Sequence, residues 1–229
     1  ATSDEIGVFL VGALRASGFN TLLNGAALCS VVPTLTEQAA RALRDYFRVE
    51  PLVVNAQTEI GLQNGYDDPK SVGADRLVNG LAAWTKARKS VVVADFGTAT
   101  TVDAVSRDGT YLGGAIAPGI GISSDALFRA AAKLPRVDLS APPQTLATNT
   151  TQSIQAGLVF GYAGLTKELL ARAIGEIETR FGESPAVYAT GGLAPLIAPL
   201  VPAIQSVEEE LTLEGLRQIW EKSRPAIEI

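Results

Sequence analysis

The chain contains no histidine, no methionine and one cysteine in 229 residues. Without histidine there is no Ser-His-Asp or Cys-His catalysis and no histidine-ligated zinc. The lone Cys29 rules out a disulfide or a cysteine metal cluster within one chain. It fits a reducing, cytoplasmic setting, and in the apolar run Ala26-Ala27-Leu28-Cys29 it reads as buried filler. Positive charge is also scarce. The formal net charge is -5, and Lys86-Ala87-Arg88-Lys89 is the only basic cluster, as expected of a solvated helix end. A broad nucleic-acid face is therefore not expected. No apolar run reaches membrane-spanning length, and the N-terminus lacks a secretion-signal pattern, so no membrane association is expected. No G-x-x-x-x-G-K-S/T loop occurs, which excludes a Walker site. The chain opens Ala1-Thr2-Ser3 without Met, as a processed, cut or partial sequence would.

What remains is a 47% hydrophobic chain, enough for one large domain or two small ones. Ser3 is placed to cap a helix over Asp4–Ala16 whose inner face is Ile6, Leu10 and Leu14. Residues 26–32 read as a buried strand. Thr34 and Glu37 suggest a capping box for a helix with Leu35, Ala39, Leu43 and Phe47 inside. Pro51–Val54 is a second strand, and residues 55–72 are too long and polar for a plain connector. A helix over Ala74–Ala87 leads to a strand at Val91–Ala94, a turn through Gly97–Thr101, and strands at Val102–Val105 and Tyr111–Ile116 joined at Arg107-Asp108-Gly109. Helices follow at residues 122–133, 150–174 and 212–223, with a late strand at Ala186–Thr190. The plan is α/β in two parts that separate near residues 88–90.

Two stretches carry the chemistry. In Asp95-Phe96-Gly97-Thr98-Ala99-Thr100-Thr101, an acidic residue at a strand end is suited to a cation. Gly97 admits close backbone approach, and the Thr98 and Thr100 hydroxyls can donate to phosphate oxygens. An ordinary hairpin with satisfied turn amides fits the same residues. In Gly73-Ala74-Asp75-Arg76, Asp75 either caps a helix or accepts a proton from a substrate hydroxyl. Arg76 either forms a surface ion pair or grips a carboxylate with its fork. Gly191-Gly192 after a strand either floors a nucleotide pocket or permits close packing. Tyr66 is a ligand-facing ring or a small-core aromatic, and Thr148-Asn149-Thr150-Thr151 is a helix cap or a polar ligand contact.

Together with Ser30-Val31-Val32-Pro33, Tyr66-Asp67-Asp68-Pro69, Gly113-Gly114-Ala115-Ile116-Ala117-Pro118-Gly119, Ala189–Pro195 and Leu211–Leu216, these segments resemble, in order, the type III pantothenate kinases. These belong to the acetate and sugar kinase/Hsp70/actin superfamily. The resemblance implies two RNase H-like halves in an actin-like ATPase fold, residues 1–88 and 89–229, and a homodimer with the substrate site near its interface. It implies transfer of the ATP γ-phosphoryl group, with Mg2+, to pantothenate, the first step of coenzyme A synthesis. Asp75 then resembles the proton acceptor. Tyr66, Gly73, Ala74 and Arg76 resemble pantothenate contacts, and Thr150 the contact made across the dimer. Thr98 resembles an ATP contact, Gly191 and Gly192 the adenosine floor, and Asp95 the ligand of a monovalent cation, potassium or ammonium.

This sequence departs from the family pattern twice. The family opens on a strand and a D-x-G-N-T phosphate loop, which these residues lack; Asp4 lies in a helix pattern and is no substitute. A hairpin unit of about 30 residues is expected to be missing from the first half, and without that loop the chain is expected to be inactive. Ala147-Thr148 stand where the family has Gly and a basic residue. A non-catalytic regulator on the same fold is the alternative expectation.

Overall fold

In chain order the computed structural model, which describes residues 1–223, runs α1 (Ser3–Ala16), β1 (Ala26–Cys29), α2 (Pro33–Phe47), β2 (Pro51–Val54), β3 (Gln63–Asn64), α3 (Ala74–Ala87), β4 (Val91–Phe96), β5 (Ala99–Val105), β6 (Thr110–Pro118), α4 (Ile120–Ala130), α5 (Thr150–Phe181), β7 (Ala186–Thr190), α6 (Ala194–Ile197), β8 (Ser206–Val207) and α7 (Leu211–Ser223). Short 3-10 turns cover Pro69–Ser71 and Ala198–Leu200. The chain is mixed α/β. Among the described residues no helix is long and apolar enough to cross a membrane.

Among the described residues two compact units are present: residues 1–61, 67–82 and 212–223 in the first, and 62–66 and 83–211 in the second. Helix α3 contributes to both, and α7 joins the first unit.

In the first unit β1 and β2 pair in parallel, Ala26 opposite Pro51 and Cys29 opposite Val54. Thr2 rather than Ser3 caps α1. Its hydroxyl accepts the Glu5 N–H at 3.2 Å while the Glu5 carboxylate accepts the Thr2 N–H at 2.8 Å, a reciprocal pair that satisfies two orphan donors. The Thr34–Glu37 box does not form. Pro33 at the first helical position starts α2 two residues earlier, with Val32 as a cap that makes no side-chain bond. The buried face of α2 is Ala40, Ala42, Leu43 and Phe47, and Leu35 is exposed. On α3 and α7, Thr212 donates to the Asn79 side chain at 2.6 Å, and Gly215 leaves no room for a Cβ beside the Val78 backbone.

The second unit is a six-stranded sheet of order β3-β6-β5-β4-β7-β8. The meander β4-β5-β6 is antiparallel; β7 runs parallel to β4, β8 to β7 and β3 to β6. Val92, Ala94 and Phe96 of β4, Val102 of β5 and Val187 of β7 pack with Val159, Leu170 and Ile177 of α5. Helix α5 passes residue 174 and ends only where Gly182 takes the left-handed conformation, φ 68°. Trp84 packs on the β5–β6 turn: its ring covers Gly109, and its indole N–H donates to the Arg107 carbonyl at 3.1 Å.

Candidate active site

The first segment lies in the first unit. Helix α3 starts after Gly73, whose carbonyl accepts the Arg76 N–H at 3.2 Å. Asp75 therefore sits inside the first turn and does not cap it. One carboxylate oxygen accepts the Arg76 N–H at 2.9 Å. Among the described residues no other hydrogen bond reaches this carboxylate. A Cβ on Gly73 would stand 2.5 Å from Asp75 Oδ1, so the glycine makes the space the carboxylate occupies. Arg76 is buried, which excludes the surface ion pair. Cys29, at the end of β1, is half-buried. Burial first, and then the Asp75 charge, push its thiol up to about 11.

The second segment lies in the second unit and is built mostly from backbone. Gly97 and Thr98 alone form the turn between β4 and β5, closed by the Gly97 N–H on the Ala99 carbonyl at 3.0 Å. Thr98 is exposed. Thr100 is not. It is fully buried and shares the face of β5 that Val102 turns to the core under α5, and its hydroxyl has no hydrogen-bond partner. The expected contact of Thr100 with a phosphate is therefore not met by its placement, because β5 begins at Ala99 and alternation turns Thr100 inward. Gly119 takes its place at the turn. Its N–H donates to the Thr98 carbonyl at 3.1 Å, and any Cβ there would overlap that oxygen. It is the N-cap of α4, whose first-turn N–H groups have no intrahelical acceptor. Nothing in the motif Gly113–Gly119 alone gives Gly119 a role. A glycine directly before a helix was the signal that could have found it.

Asp95, the penultimate residue of β4, is half-buried. Gly191, at φ 90°, is pressed against it: a Cβ there would lie 2.5 Å from Asp95 Oδ1 and 2.6 Å from the Phe96 carbonyl carbon. Gly192 faces open space. The unit thus gathers Asp95, Gly97, Thr98, Gly119, Gly191 and Gly192 around one turn. Tyr66 lies elsewhere in this unit, half-buried, its ring 6.1 Å from that of Tyr111. Thr150 is exposed at the start of α5. Asn149 performs the capping, accepting the Gln152 N–H at 2.9 Å, so Thr150 is not needed for it. Thr150 borders an apolar surface depression lined by Leu127, Leu134 and Ile154.

A family model described as type III pantothenate kinase matches residues 1–172. The chain is 47% identical over 225 residues to the type III pantothenate kinase of Pelobacter propionicus, covering 97% of this chain and 87% of the relative. The Geobacter sulfurreducens type III pantothenate kinase is 47% identical over 224 residues, 97% and 86% of the two chains. That of a Roseiflexus species is 52% identical over 202 residues, 88% and 78%. Among solved structures, a conserved putative Baf family transcriptional activator from Campylobacter jejuni superposes with a TM-score of 0.56 at 21% identity, over 88% of this chain and 84% of that one. At that identity the likeness concerns the fold alone. The chain belongs to the type III pantothenate kinase family.

Proposed function

We propose how this chain carries out the reaction of its family, the ATP-dependent phosphorylation of pantothenate that opens coenzyme A synthesis. Asp75 accepts the proton of the substrate hydroxyl. The observation that carries this is a carboxylate at a helix start, bonded only to the neighbouring N–H, with Gly73 clearing the space beside it. A loose phosphoryl-transfer transition state loses the alcohol proton late, so an ordinary carboxylate in the right place is sufficient. Arg76 matches the pantothenate carboxylate with its fork. Tyr66, Gly73, Ala74 and, from a second subunit, Thr150 complete the substrate contacts.

The turn at Gly97-Thr98, with the start of α4, suits the phosphates of ATP because it offers backbone N–H groups and no side-chain bulk. Gly191 and Gly192 floor the adenosine. A divalent ion arrives on the nucleotide, as the use of ATP by the family implies. Bound Mg2+ would neutralise developing phosphate charge. Asp95 is the proposed ligand of potassium or ammonium.

The wider assignment is an actin-like fold of two RNase H-like halves, residues 1–88 and 89–229, supported by the meander β4-β5-β6 followed by helix and parallel strand. A homodimer is supported by the exposed Ile116, Ile122, Leu127 and Phe128 and by Leu127 bordering the same depression as Thr150. A cytoplasmic setting goes with a reduced Cys29. No observation favours a non-catalytic regulator. The deciding experiment is pantothenate-dependent ADP release by the intact protein and by Asp75→Asn, with potassium or ammonium present. Loss of turnover in the variant is expected; equal turnover removes Asp75 from the reaction.

A further inference from the structure

We infer that Asp103 is a positioning residue for the pantothenate contact Tyr66 and acts through Tyr111. The inference rests on the reading of Tyr66 given above. Asp103 of β5 is 3% exposed, on the face of the sheet opposite Val102 and Ala104. Its carboxylate accepts two short hydrogen bonds, from the Thr101 hydroxyl at 2.7 Å and the Tyr111 hydroxyl at 2.7 Å. A carboxylate is costly to bury and is held in place by such donors. Tyr111 is itself fully buried. Its ring lies 6.1 Å from that of Tyr66, tilted by 42°, and its carbonyl accepts the Gly65 N–H at 3.0 Å. Both the backbone and the ring of the Tyr66 segment therefore lean on one residue, and Asp103 holds that residue's hydroxyl.

The strand geometry supports the connection. The β5–β6 ladder slips by one residue: Ala104 pairs with Gly113, but Val105 pairs with Tyr111. Leu112 is the extra residue. Without the slip Leu112 would oppose Val105 and share the face of Asp103. The bulge exchanges it for Tyr111, and Leu112 packs instead against the core under α5. The next residue of β6, Gly113, takes φ 103° and lies against the Tyr66 ring, where a Cβ would stand 3.4 Å away; Gly114 leaves no room for a Cβ beside the Val102 carbonyl of β5. A bulge and a buried carboxylate are more than the sheet needs for pairing alone. What they have in common is the placement of Tyr111 and Tyr66.

Steady-state kinetics of the intact protein test this. Tyr111→Phe removes one hydroxyl and keeps the ring. It is expected to raise KM for pantothenate about fivefold, the size of one ordinary hydrogen bond, with KM for ATP unmoved. Asp103→Asn is expected to raise it about tenfold. In a Tyr66→Ala background Tyr111→Phe should add almost nothing, since its route to the substrate is gone. A network that only stabilises the sheet would lower the melting temperature without this split, or would move both KM values alike. Either result overturns the inference, as does an undiminished effect of Tyr111→Phe when Tyr66 is absent. If Asp103→Asn does not fold, Tyr111→Phe decides alone. A KM rise in Tyr66→Ala with none in Tyr111→Phe overturns the positioning role and leaves Tyr66 a contact. No change in Tyr66→Ala overturns both.

Discussion

The segment at Gly73–Arg76 and the turn at Asp95–Thr98 are both glycine-bearing ends of regular elements, yet they are built on opposite principles. In the first, a glycine clears space for a side chain, the Asp75 carboxylate. In the second, glycines clear space chiefly for backbone: Gly119 against the Thr98 carbonyl and Gly191 against the Phe96 backbone, with the Asp95 carboxylate beside it. The difference follows the chemistry proposed for each. A hydroxyl that must lose a proton needs a titratable group, which only a side chain supplies. A polyphosphate needs many weak donors at close range, which backbone N–H groups supply without conformational freedom to lose.

The comparison breaks most plainly at Asp75. Asp75→Asn keeps the shape and the bond to the Arg76 N–H and removes the base. A fall in kcat of about a thousandfold is expected, with KM for pantothenate nearly unchanged. A variant with full kcat would mean that the first segment, like the second, only binds. Next in size is Gly119→Val, which forces a branched side chain into the Thr98 and Gly97 carbonyls. About a thirtyfold loss in kcat/KM for ATP is expected, with pantothenate KM unmoved and a melting curve confirming the fold. An equal loss toward both substrates would show that the turn serves the whole unit and not the nucleotide. Replacing potassium or ammonium by sodium should then cost about tenfold in rate, and Asp95→Ala should abolish the dependence on the cation. Insensitivity to sodium would remove the charged side chain from the second segment altogether.

The two segments also differ in how far they could be read from sequence. Helix α3 is found at Ala74–Ala87 as its periodicity predicts, because a glycine before it and a basic stretch after it are local signals. The meander β4-β5-β6 was equally visible from its β-branched runs and the Asp108-Gly109 turn. What was lost depends on residues distant in sequence or on one-residue phase. Extending the turn through Thr101 hid the alternation that buries Thr100, and the slip that brings Tyr111 to Asp103 leaves no trace in periodicity. The helix expected to end at residue 174 runs on to Phe181, with Ile177 buried in the core. Two-residue β8 and four-residue α6 are too short to have a period. The partner-dependent assignments, Thr150 above all, rest on the family resemblance, since an exposed threonine at a helix start has no local signature of function.

The smallest effect concerns the thiol beside the base. Burial and the Asp75 charge hold Cys29 at about 11, so near pH 8 almost none of it is thiolate, and the thiolate is the reactive form. Alkylation should be slow at neutral pH and rise about tenfold per pH unit until the pH approaches that value. Asp75→Asn removes one of the two causes. With the like charge gone the thiolate costs less, the pKa falls, and alkylation near pH 8 should quicken by roughly threefold, as for one charge screened by solvent. Burial, the larger cause, stays, so the rate should remain well below that of an exposed cysteine. The sign matters more than the size. An unchanged rate would mean that the Asp75 charge does not reach β1, and the picture of a solitary ionised carboxylate at the head of α3 would lose its one electrostatic witness within the same unit.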